Sequence, residues 1–234
     1  MYFNLLGQPS KLARDISSRV KNKEENRTLA LKFGFEYFDG PREQGYGGYK
    51  YDGRWQDVAK RLMEKYQLTA SSKFLDVGCA KGFLMHDLRD ACPGIEVFGL
   101  DISEYAKTNA LASVKDSIHI GSCLSLPYPD NFFDATVSIN TIHNLDINGC
   151  KQAVCELIRV TKHKANIFIQ VDAYTTPEEK EMFEIWMLTA KTYLQPQEWE
   201  ALFKEVDYTG DYFLTVIGFS DTRNIQSVNH QTVS

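Results

Sequence analysis

The stretch from Phe74 to Phe83 constrains the fold of this chain more than any other part of it. Its first half, Phe74-Leu75-Asp76-Val77, is mostly apolar and contains a β-branched residue, which is typical of a short strand buried on both faces. Gly78 and Gly82 bracket the bend that follows, and the apolar residues from Phe83 onward favour a helix. Glycine permits a positive φ and a close approach of a ligand to the backbone. We therefore expect a strand, a glycine bend, and a helix whose free N-terminal amides face the bend.

A second buried strand ends in a carboxylate. Val97-Phe98-Gly99-Leu100-Asp101 is apolar up to its last residue, and Asp101 lies 23 residues after Gly78. One helix and one strand fit in this interval, so the sequence predicts a β-α-β unit. An acid at the end of the second strand can accept hydrogen bonds from both ribose hydroxyls of an adenosine. The alternative is that Asp101 caps the next helix, which begins near Ile102.

The pattern of glycines separates two classes of nucleotide-binding protein. A dinucleotide-binding bend requires G-x-G-x-x-G, whereas this chain has Gly-Cys-Ala-Lys-Gly from Gly78. The run from Asp76 fits D-x-G-x-(G/A)-x-G and resembles the first motif of class I S-adenosylmethionine-dependent methyltransferases. The resemblance implies that S-adenosylmethionine (SAM) is the cofactor. It also implies that Asp76, Gly78 and Gly82 surround the methionine part of SAM and that Asp101 binds the ribose.

Residues next to these motifs complete the predicted cofactor site. Such neighbours are Cys79 in the bend, Ile102 after the second acid, and Asn140 after the fourth strand. In the resembling family an acid usually follows the glycine after the third strand and binds the adenine amino group. Here that position holds Ser122, so the Ser122 hydroxyl or the Cys123 amide would replace the acid.

The resemblance covers residues 54–219 and implies the fold class. That fold is an α/β Rossmann-like three-layer sandwich with a seven-stranded, mostly parallel sheet whose last strand is antiparallel. We expect three regions: an N-terminal helical extension with a Gly/Tyr-rich lid (1–53), the methyltransferase domain (54–219) and a polar C-terminal tail (220–234). Residues 11–35 of the extension are expected to be mostly helical.

The segment from Phe38 to Trp55 contains the predicted lid, Gly45 to Arg54. It holds five glycines, five aromatic residues and a proline in eighteen positions, which excludes a regular helix or strand. We expect a structured loop that orders over the site when ligands bind, with Tyr49 and Arg54 contacting the cofactor carboxylate. The alternative is a rigid surface loop whose tyrosines pack on the helix that begins near Arg54.

Two further residues are candidates for catalysis. His143 follows the fourth predicted strand, Phe132–Ile139, at the end of the sheet where open α/β folds bind ligands. Its ordinary pKa of ~6.5 suits a general base, although a local capping role is the alternative. Asp172 ends the fifth predicted strand and could orient a substrate hydroxyl, or cap the backbone nearby.

Charge and composition exclude several function classes. Net charge is −5, with 13 basic against 9 acidic residues in 1–70, which is too weak a basic face for a nucleic-acid binder. No apolar run approaches the ~20 residues of a membrane span. Five cysteines without a C-x-x-C pair argue against a disulfide framework and a metal site, and favour the cytoplasm.

The resemblance implies direct displacement at the methyl group of the cofactor sulfonium. The expected partner is a small-molecule acceptor that offers a hydroxyl, an amine or another nucleophile, for example on a sugar derivative; its reacting atom and the oligomeric state stay open. The alternatives are a non-catalytic SAM-binding protein and, less favoured because of the glycine pattern, a nicotinamide-dependent oxidoreductase. Gly78→Val is expected to abolish cofactor binding with only a modest loss of stability.

Overall fold

One parallel β-sheet organises the computed structural model, which describes residues 1–7, 11–13 and 16–218. Its strands are β1 (Lys11–Ala13), β2 (Lys73–Val77), β3 (Glu96–Asp101), β4 (Ile118–Ile120), β5 (Ala135–Ile139), β6 (Ile167–Ala173) and β7 (Asp211–Gly218). Their order across the sheet is β1-β7-β6-β5-β2-β3-β4. The order therefore reverses between β2 and β5, which is the switch point at which open α/β sheets form a crevice.

Helices cover both faces of the sheet. They are α1 (Ser17–Val20), α2 (Lys23–Ala30), α3 (Phe35–Phe38), α4 (Gln56–Tyr66), α5 (Phe83–Ala91), α6 (Glu104–Thr108), α7 (Ile147–Val160), α8 (Pro177–Trp186) and α9 (Pro196–Glu205). Local signals set where several begin. The Asp146 carboxylate accepts from the Gly149 amide at the start of α7, and Pro177 and Pro196 stand in the first turn of α8 and α9.

Two apolar cores, one on each face, hold these layers together. On one face α7 and α9 pack on the sheet through side chains that include Val154, Leu157 and Trp199. On the other face α4 and α5 pack through side chains that include Leu62 and Leu88. Successive residues of a strand point to opposite faces, so each buried strand contributes to both cores. The expected three-layer α/β sandwich is confirmed.

The prediction of an antiparallel last strand is wrong for the described residues. β7 pairs with β6 in parallel register, with Phe168 opposite Asp211 and Ala173 opposite Val216. The connection from β6 to β7 contains α8 and α9, which return the chain to the starting end of the sheet, as a parallel pair requires. Six strands come from the expected domain, and the seventh is β1 from the N-terminal extension.

The N-terminal extension is less helical than expected. It contributes the edge strand β1, which runs parallel to β7 with Lys11 opposite Val216, and then the short helices α1, α2 and α3. A parallel edge strand ends at the same side of the sheet as its neighbours. The extension therefore continues at the carboxyl edge, where the switch point lies.

Some expectations fall outside the part of the chain that the structure describes. The polar tail expected over 220–234 lies there, as does Phe219, the expected last residue of the closing strand. Within the described residues, none of the helices has the length and apolar character needed to cross a bilayer.

Candidate functional site

A cavity of about 700 Å³ lies at the switch point of the sheet. Its inner wall is formed by residues at the carboxyl ends of three strands: Asp76, Gly78, Cys79, Ala80, Ile139, Asn140, His143 and Asp172. Its outer wall comes from the N-terminal extension and from the segment after α8, and includes Arg19, Tyr37, Arg42, Tyr46, Tyr49, Lys50, Arg54 and residues 186–189. The cavity thus lies between the sheet and the chain's own N-terminal part.

The glycine bend after β2 is held in a strained conformation. Ala80 has a φ of +49°, which costs energy for any residue with a Cβ atom. The Asp101 carboxylate accepts a hydrogen bond from the Ala80 amide at 2.7 Å. The Gly78 amide donates to the Leu100 carbonyl at 2.7 Å. The end of β3 therefore fixes the bend that follows β2.

Both the positive φ of Gly78 and the side chain packed against it require a glycine at this position. Its φ is +84°, and a Cβ atom there would lie 1.9 Å from Oγ1 of Thr141. The space above Gly78 is thus filled by Thr141, which follows β5. The expectation that a side chain at position 78 would cost little stability is contradicted by this contact.

Asp101 is buried and already engaged with the backbone. Its side chain accepts from the Ser103 amide at 2.8 Å as well as from Ala80, and the residue is 8% exposed. Burial raises the pKa of Asp101, while the amides of Ser103 and Ala80 act in the opposite direction. A carboxylate has about four acceptor positions, so two remain for a ligand. Asp101 does not line the cavity, and its ribose contact stays a prediction.

Asp76 lies deeper and lines the cavity. It is 5% exposed, and burial together with the charge of Asp101 raises its pKa to about 7. Two buried carboxyl groups that repel one another favour a bound cation or hydrogen-bond donors beside them. This arrangement suits a ligand that brings both positive charge and hydroxyl groups.

His143 lines the cavity in a form that does not suit the role of general base. Its Nδ1 atom accepts a hydrogen bond from the Asp172 amide at 3.2 Å, and the residue is 1% exposed. Burial lowers its pKa to about 4, so the ring is neutral near pH 7 and carries its proton on Nε2. That tautomer can donate to a ligand, but its lone pair is already used. The geometry therefore argues against the expected proton abstraction and for hydrogen-bond donation.

Asp172 and Asn140 border His143. Asp172 is buried, lines the cavity, and has a backbone carbonyl that accepts from Nε1 of Trp199 at 3.2 Å. Asn140 has a φ of +52° and its amide donates to the Gln170 carbonyl at 2.9 Å. The strained Asn140 backbone and the anchored Asp172 place both residues at the inner wall. Their roles toward a ligand stay predictions.

Tyr49 and Arg54 reach the cavity from the opposite side. The Tyr49 ring stacks on Phe83, with 4.8 Å between centroids and 15° between planes. Burial and the charge of Asp76 raise the pKa of Tyr49, so its hydroxyl remains protonated. The Arg54 guanidinium pairs with the exposed Asp52 carboxylate. Arg54 would therefore share or exchange this partner to bind a cofactor carboxylate.

Besides Asp101, four predicted cofactor residues lie away from the cavity wall. The Gly82 backbone has a φ of +73° at the start of α5, and a Cβ atom there would lie 2.7 Å from Cγ2 of Val114. Ile102 is 60% exposed beside Asp101. The Ser122 hydroxyl accepts from the Leu124 amide at 3.2 Å, and burial raises the pKa of the neighbouring Cys123 to about 11. The adenine contacts expected here stay predictions.

The sequence analysis missed a cluster centred on Asp39 and Lys81. Lys81 belongs to the bend, is 6% exposed, and donates to Asp39 Oδ2 at 2.6 Å and to the Tyr49 carbonyl at 2.9 Å. The Tyr105 hydroxyl donates to Asp39 at 2.7 Å. Burial alone would raise the pKa of Asp39, but hydrogen bonds from Lys81 and Tyr105 lower it overall. A lysine inside the glycine bend was the one available sequence signal.

The basic character of the extension has a structural use. Lys23 donates to the Ile185 and Met187 carbonyls, Arg19 to the Trp186 carbonyl, and Arg27 to the Ala190 carbonyl. These carbonyls belong to the end of α8 and the segment after it, where helical partners run out and negative partial charge accumulates. The extension is thus fastened to the segment that completes the outer wall.

The comparisons with known proteins agree with this architecture. Residues 75–169 match a family model described as a methyltransferase domain. A solved SAM-dependent methyltransferase from Archaeoglobus fulgidus superposes with a TM-score of 0.52 at 19% identity, covering 64% of this chain and 66% of that one. At this identity the likeness shows the fold.

Two curated relatives match over shorter parts of their own length. A tRNA (carboxymethyluridine(34)-5-O)-methyltransferase of Arabidopsis thaliana is 30% identical over 147 residues, which is 62% of this chain and 34% of that protein. A demethylmenaquinone methyltransferase of Symbiobacterium thermophilum is 27% identical over 118 residues, or 47% of this chain and 46% of that protein. The chain spans less than half of either relative, and the two act on different acceptors.

Replacing Gly78 by alanine should destabilise the protein. The new Cβ would collide with Thr141 while the backbone keeps its positive φ, and we expect a loss of about 1–3 kcal/mol in the free energy of unfolding. Gly34→Ala is the matched control, because its Cβ would meet only the end of a flexible glutamate at 3.4 Å. Urea unfolding of both variants measures the difference; equal stabilities would contradict the packing of Thr141 on Gly78.

The stability of the protein should depend on the titration of Asp76. Its pKa of about 7 in the folded state exceeds the ~3.9 of an unfolded chain, so the folded state holds the extra proton between these values. The contribution of this proton to the free energy of unfolding is fully present below pH ~4 and is lost as the pH rises through about 7. Unfolding of wild type and Asp76→Asn from pH 4 to 8 isolates this slope. A constant difference between the two proteins would refute the raised pKa.

The His143 ring should remain neutral across the physiological range. With its pKa lowered to about 4 and Nδ1 bonded to the Asp172 amide, the Nε2-protonated tautomer should persist from pH 5.5 to 8. Nitrogen-15 NMR of histidine-labelled protein distinguishes the tautomers, and His143→Gln assigns the signal. A charge transition near pH 6.5 at this position would restore the general-base hypothesis.

Proposed function

We propose that the chain, whose residues 75–169 match a methyltransferase domain, is a class I SAM-dependent methyltransferase that transfers the methyl group of SAM to a nucleophile of a small polar metabolite, such as a sugar derivative. The observation that carries this proposal is the cavity of about 700 Å³ between the motif residues of the sheet and the N-terminal extension. Pockets of 300–1,000 Å³ are typical of cofactor and small-molecule sites.

The outer wall of the cavity favours a small acceptor over a macromolecule. Residues 19–54 and 186–189 of the chain itself stand where a large acceptor would have to approach the inner wall. The relatives with named acceptors use a tRNA in one case and demethylmenaquinone in the other, so the relatives leave the acceptor open. The outer wall that the extension provides supports an acceptor small enough to fit into the cavity.

The residues of the inner wall fit SAM. SAM carries a cationic sulfonium, an ammonium group and a ribose diol, and it supplies an electrophilic methyl group when bound. The Asp76 carboxyl group in this wall, and the buried Asp101 carboxyl group outside the cavity lining, favour positive charge and hydroxyl donors beside them. Tyr49 and Arg54 stand on the opposite wall, where a carboxylate could be bound. The charges of the two walls thus match the two ends of an amino-acid moiety.

The rest of the wall suits a polar acceptor. Asn140, Asp172 and Thr189 offer hydrogen-bonding groups, and His143 in its neutral form offers a donor. These groups would orient the nucleophile in line with the methyl group, and enclosure by the extension would keep water away. An acceptor that is already deprotonated, or that loses its proton to solvent, needs no base from this wall.

Two other functions remain alternatives. A SAM-binding protein without transfer activity would share this fold and this cavity, since a fold does not determine function. A nicotinamide-dependent oxidoreductase is opposed by the bend, which lacks the G-x-G-x-x-G spacing. Measuring whether the protein binds SAM or NAD distinguishes the proposed methyltransferase from an oxidoreductase. Measuring whether a methylated product forms distinguishes it from a non-catalytic SAM-binding protein.

The test begins with ligand binding. SAM and S-adenosylhomocysteine should raise the melting temperature and NAD should not. Asp101→Ala should weaken S-adenosylhomocysteine binding by about 1–3 kcal/mol because charged hydrogen bonds are lost, whereas Asp130→Ala, at an exposed ion pair with Arg159, should leave it unchanged. Calorimetry measures both variants; an Asp101→Ala protein that is folded and binds normally would refute the ribose assignment.

The second step identifies the acceptor. Protein and methyl-labelled SAM are incubated in parallel with fractionated small metabolites and with bulk tRNA, and labelled products are detected by mass spectrometry. Label in a small metabolite supports the proposal, and label in tRNA alone overturns it. Binding of SAM without transfer to either fraction would favour the non-catalytic alternative.

A further inference from the structure

We infer that Asp39 is a positioning residue of the cofactor site: through Lys81 it joins the glycine bend to the loop that carries Tyr49. The N-terminal extension is then part of the SAM site and not only a cover for the acceptor. The inference rests on the proposed function in naming SAM as the ligand. The contact that carries it joins residues 42 positions apart in the chain.

The Lys81 ammonium group has all three of its protons engaged. It donates to both Asp39 carboxylate oxygens, at 2.8 and 2.6 Å, and to the Tyr49 carbonyl at 2.9 Å. Its side chain is 7% exposed. A buried ammonium that loses its carboxylate partner keeps the cost of desolvation without the compensating attraction. Lys81 therefore depends on Asp39 for its position.

Asp39 binds Tyr49 as well as Lys81. Its Oδ1 atom accepts from the Tyr49 amide at 3.1 Å, and its Oδ2 atom accepts from the Tyr105 hydroxyl at 2.7 Å. The Tyr49 amide and carbonyl are thus both bonded to the same ion pair. The Tyr49 side chain then stacks on Phe83, the first residue of α5, and lines the cavity.

The glycine bend is held by hydrogen bonds on two sides. On the inner side Asp101 accepts from the Ala80 amide, and on the outer side the next residue, Lys81, pairs with Asp39. Ala80 packs in an apolar cluster with Phe38 and Ala106, which places it directly under the extension. Since Ala80 has a positive φ, the bend needs such external support to keep its shape.

The loop that delivers Tyr49 is closely folded against α3. The Tyr46 amide donates to the Tyr37 carbonyl at 2.8 Å, and the Tyr49 amide donates to the Phe38 carbonyl at 2.8 Å. A Cβ atom on Gly45 would lie 1.8 Å from the Tyr37 carbonyl oxygen. The glycine at this position therefore permits close packing of the loop on α3. The Asp39–Lys81 pair is what attaches this folded loop to the bend.

A double-mutant cycle tests the inference by calorimetry with S-adenosylhomocysteine. Asp39→Asn and Lys81→Met should each weaken binding about 10–100-fold, the range expected for losing charge-assisted hydrogen bonds. The double variant should bind no more weakly than the weaker single variant, because the two residues act as one unit. Asp39→Glu should recover part of the affinity. Asp130→Asn, which breaks an exposed ion pair, is the control and should bind as wild type does.

Melting temperatures and hydrogen exchange separate positioning from general stability. In ligand-free Asp39→Asn the amides of Tyr49 and Gly82 should exchange faster than in wild type, while amides of the distant helix α7 should not change. If the Asp39–Lys81 pair only stabilises the fold, Asp39→Asn should lower the melting temperature and leave the affinity of the folded protein for S-adenosylhomocysteine unchanged.

The outcomes distinguish this inference from the proposed function. Normal affinity in folded Asp39→Asn, or strictly additive effects in the cycle, would overturn the inference and leave the proposed function standing. Failure of the wild-type protein to bind S-adenosylhomocysteine would overturn the proposed function and the SAM role of Asp39 with it. Weakened, coupled binding with faster exchange at the bend supports both.

Discussion

The hydrogen bond from the Ala80 amide to the Asp101 carboxylate is the interaction on which the site depends. It joins the end of β3 to the bend after β2, and it holds a non-glycine residue at positive φ. Asp101 is buried when it does so, which raises its pKa; the pKa of Asp76 is raised by its own burial and further by the charge of Asp101. This contact thus fixes the bend and holds Asp101 where its charge acts on the inner wall. A cationic ligand with hydroxyl groups relieves the repulsion that this arrangement creates.

The two walls of the cavity carry opposite charges, because one is formed by the sheet and the other mainly by the N-terminal extension. The sheet supplies the carboxyl groups of Asp76 and Asp172, whereas the extension supplies the guanidinium and ammonium groups. One of those cations, Arg19, donates to the Trp186 carbonyl at the end of α8, so it builds the wall as well as lines it. Basic side chains of the N-terminal part, Arg19, Lys23 and Arg27, thus contribute to assembly of the site by bonding to backbone carbonyls of residues 185–190.

His143 illustrates how burial changes the chemistry of a residue whose type and place were foreseen. The sequence placed it beyond the fourth strand of the domain, and the structure has it at the cavity wall. Its partner is a backbone amide, which occupies the lone pair that a base would use. Desolvation of the buried ring also disfavours the imidazolium form. The same imidazole would donate a hydrogen bond when neutral or abstract a proton as a base, and its surroundings decide between the two roles.

The sequence alone was sufficient for the features that arise within short stretches of chain: the buried strand before Gly78, the acid that ends the next strand, and the α/β layering that follows from them. It also located Asp76, Asn140 and Asp172 at one edge, because the carboxyl ends of parallel strands share an edge. Tertiary structure decided the contacts between distant segments. These include the ion pair of Asp39 with Lys81, the packing of Thr141 on Gly78, and the parallel direction of β7. The physical reason is that the partners of buried polar groups, and the route of a long connection, depend on what the rest of the chain brings near them, and local pattern does not encode that.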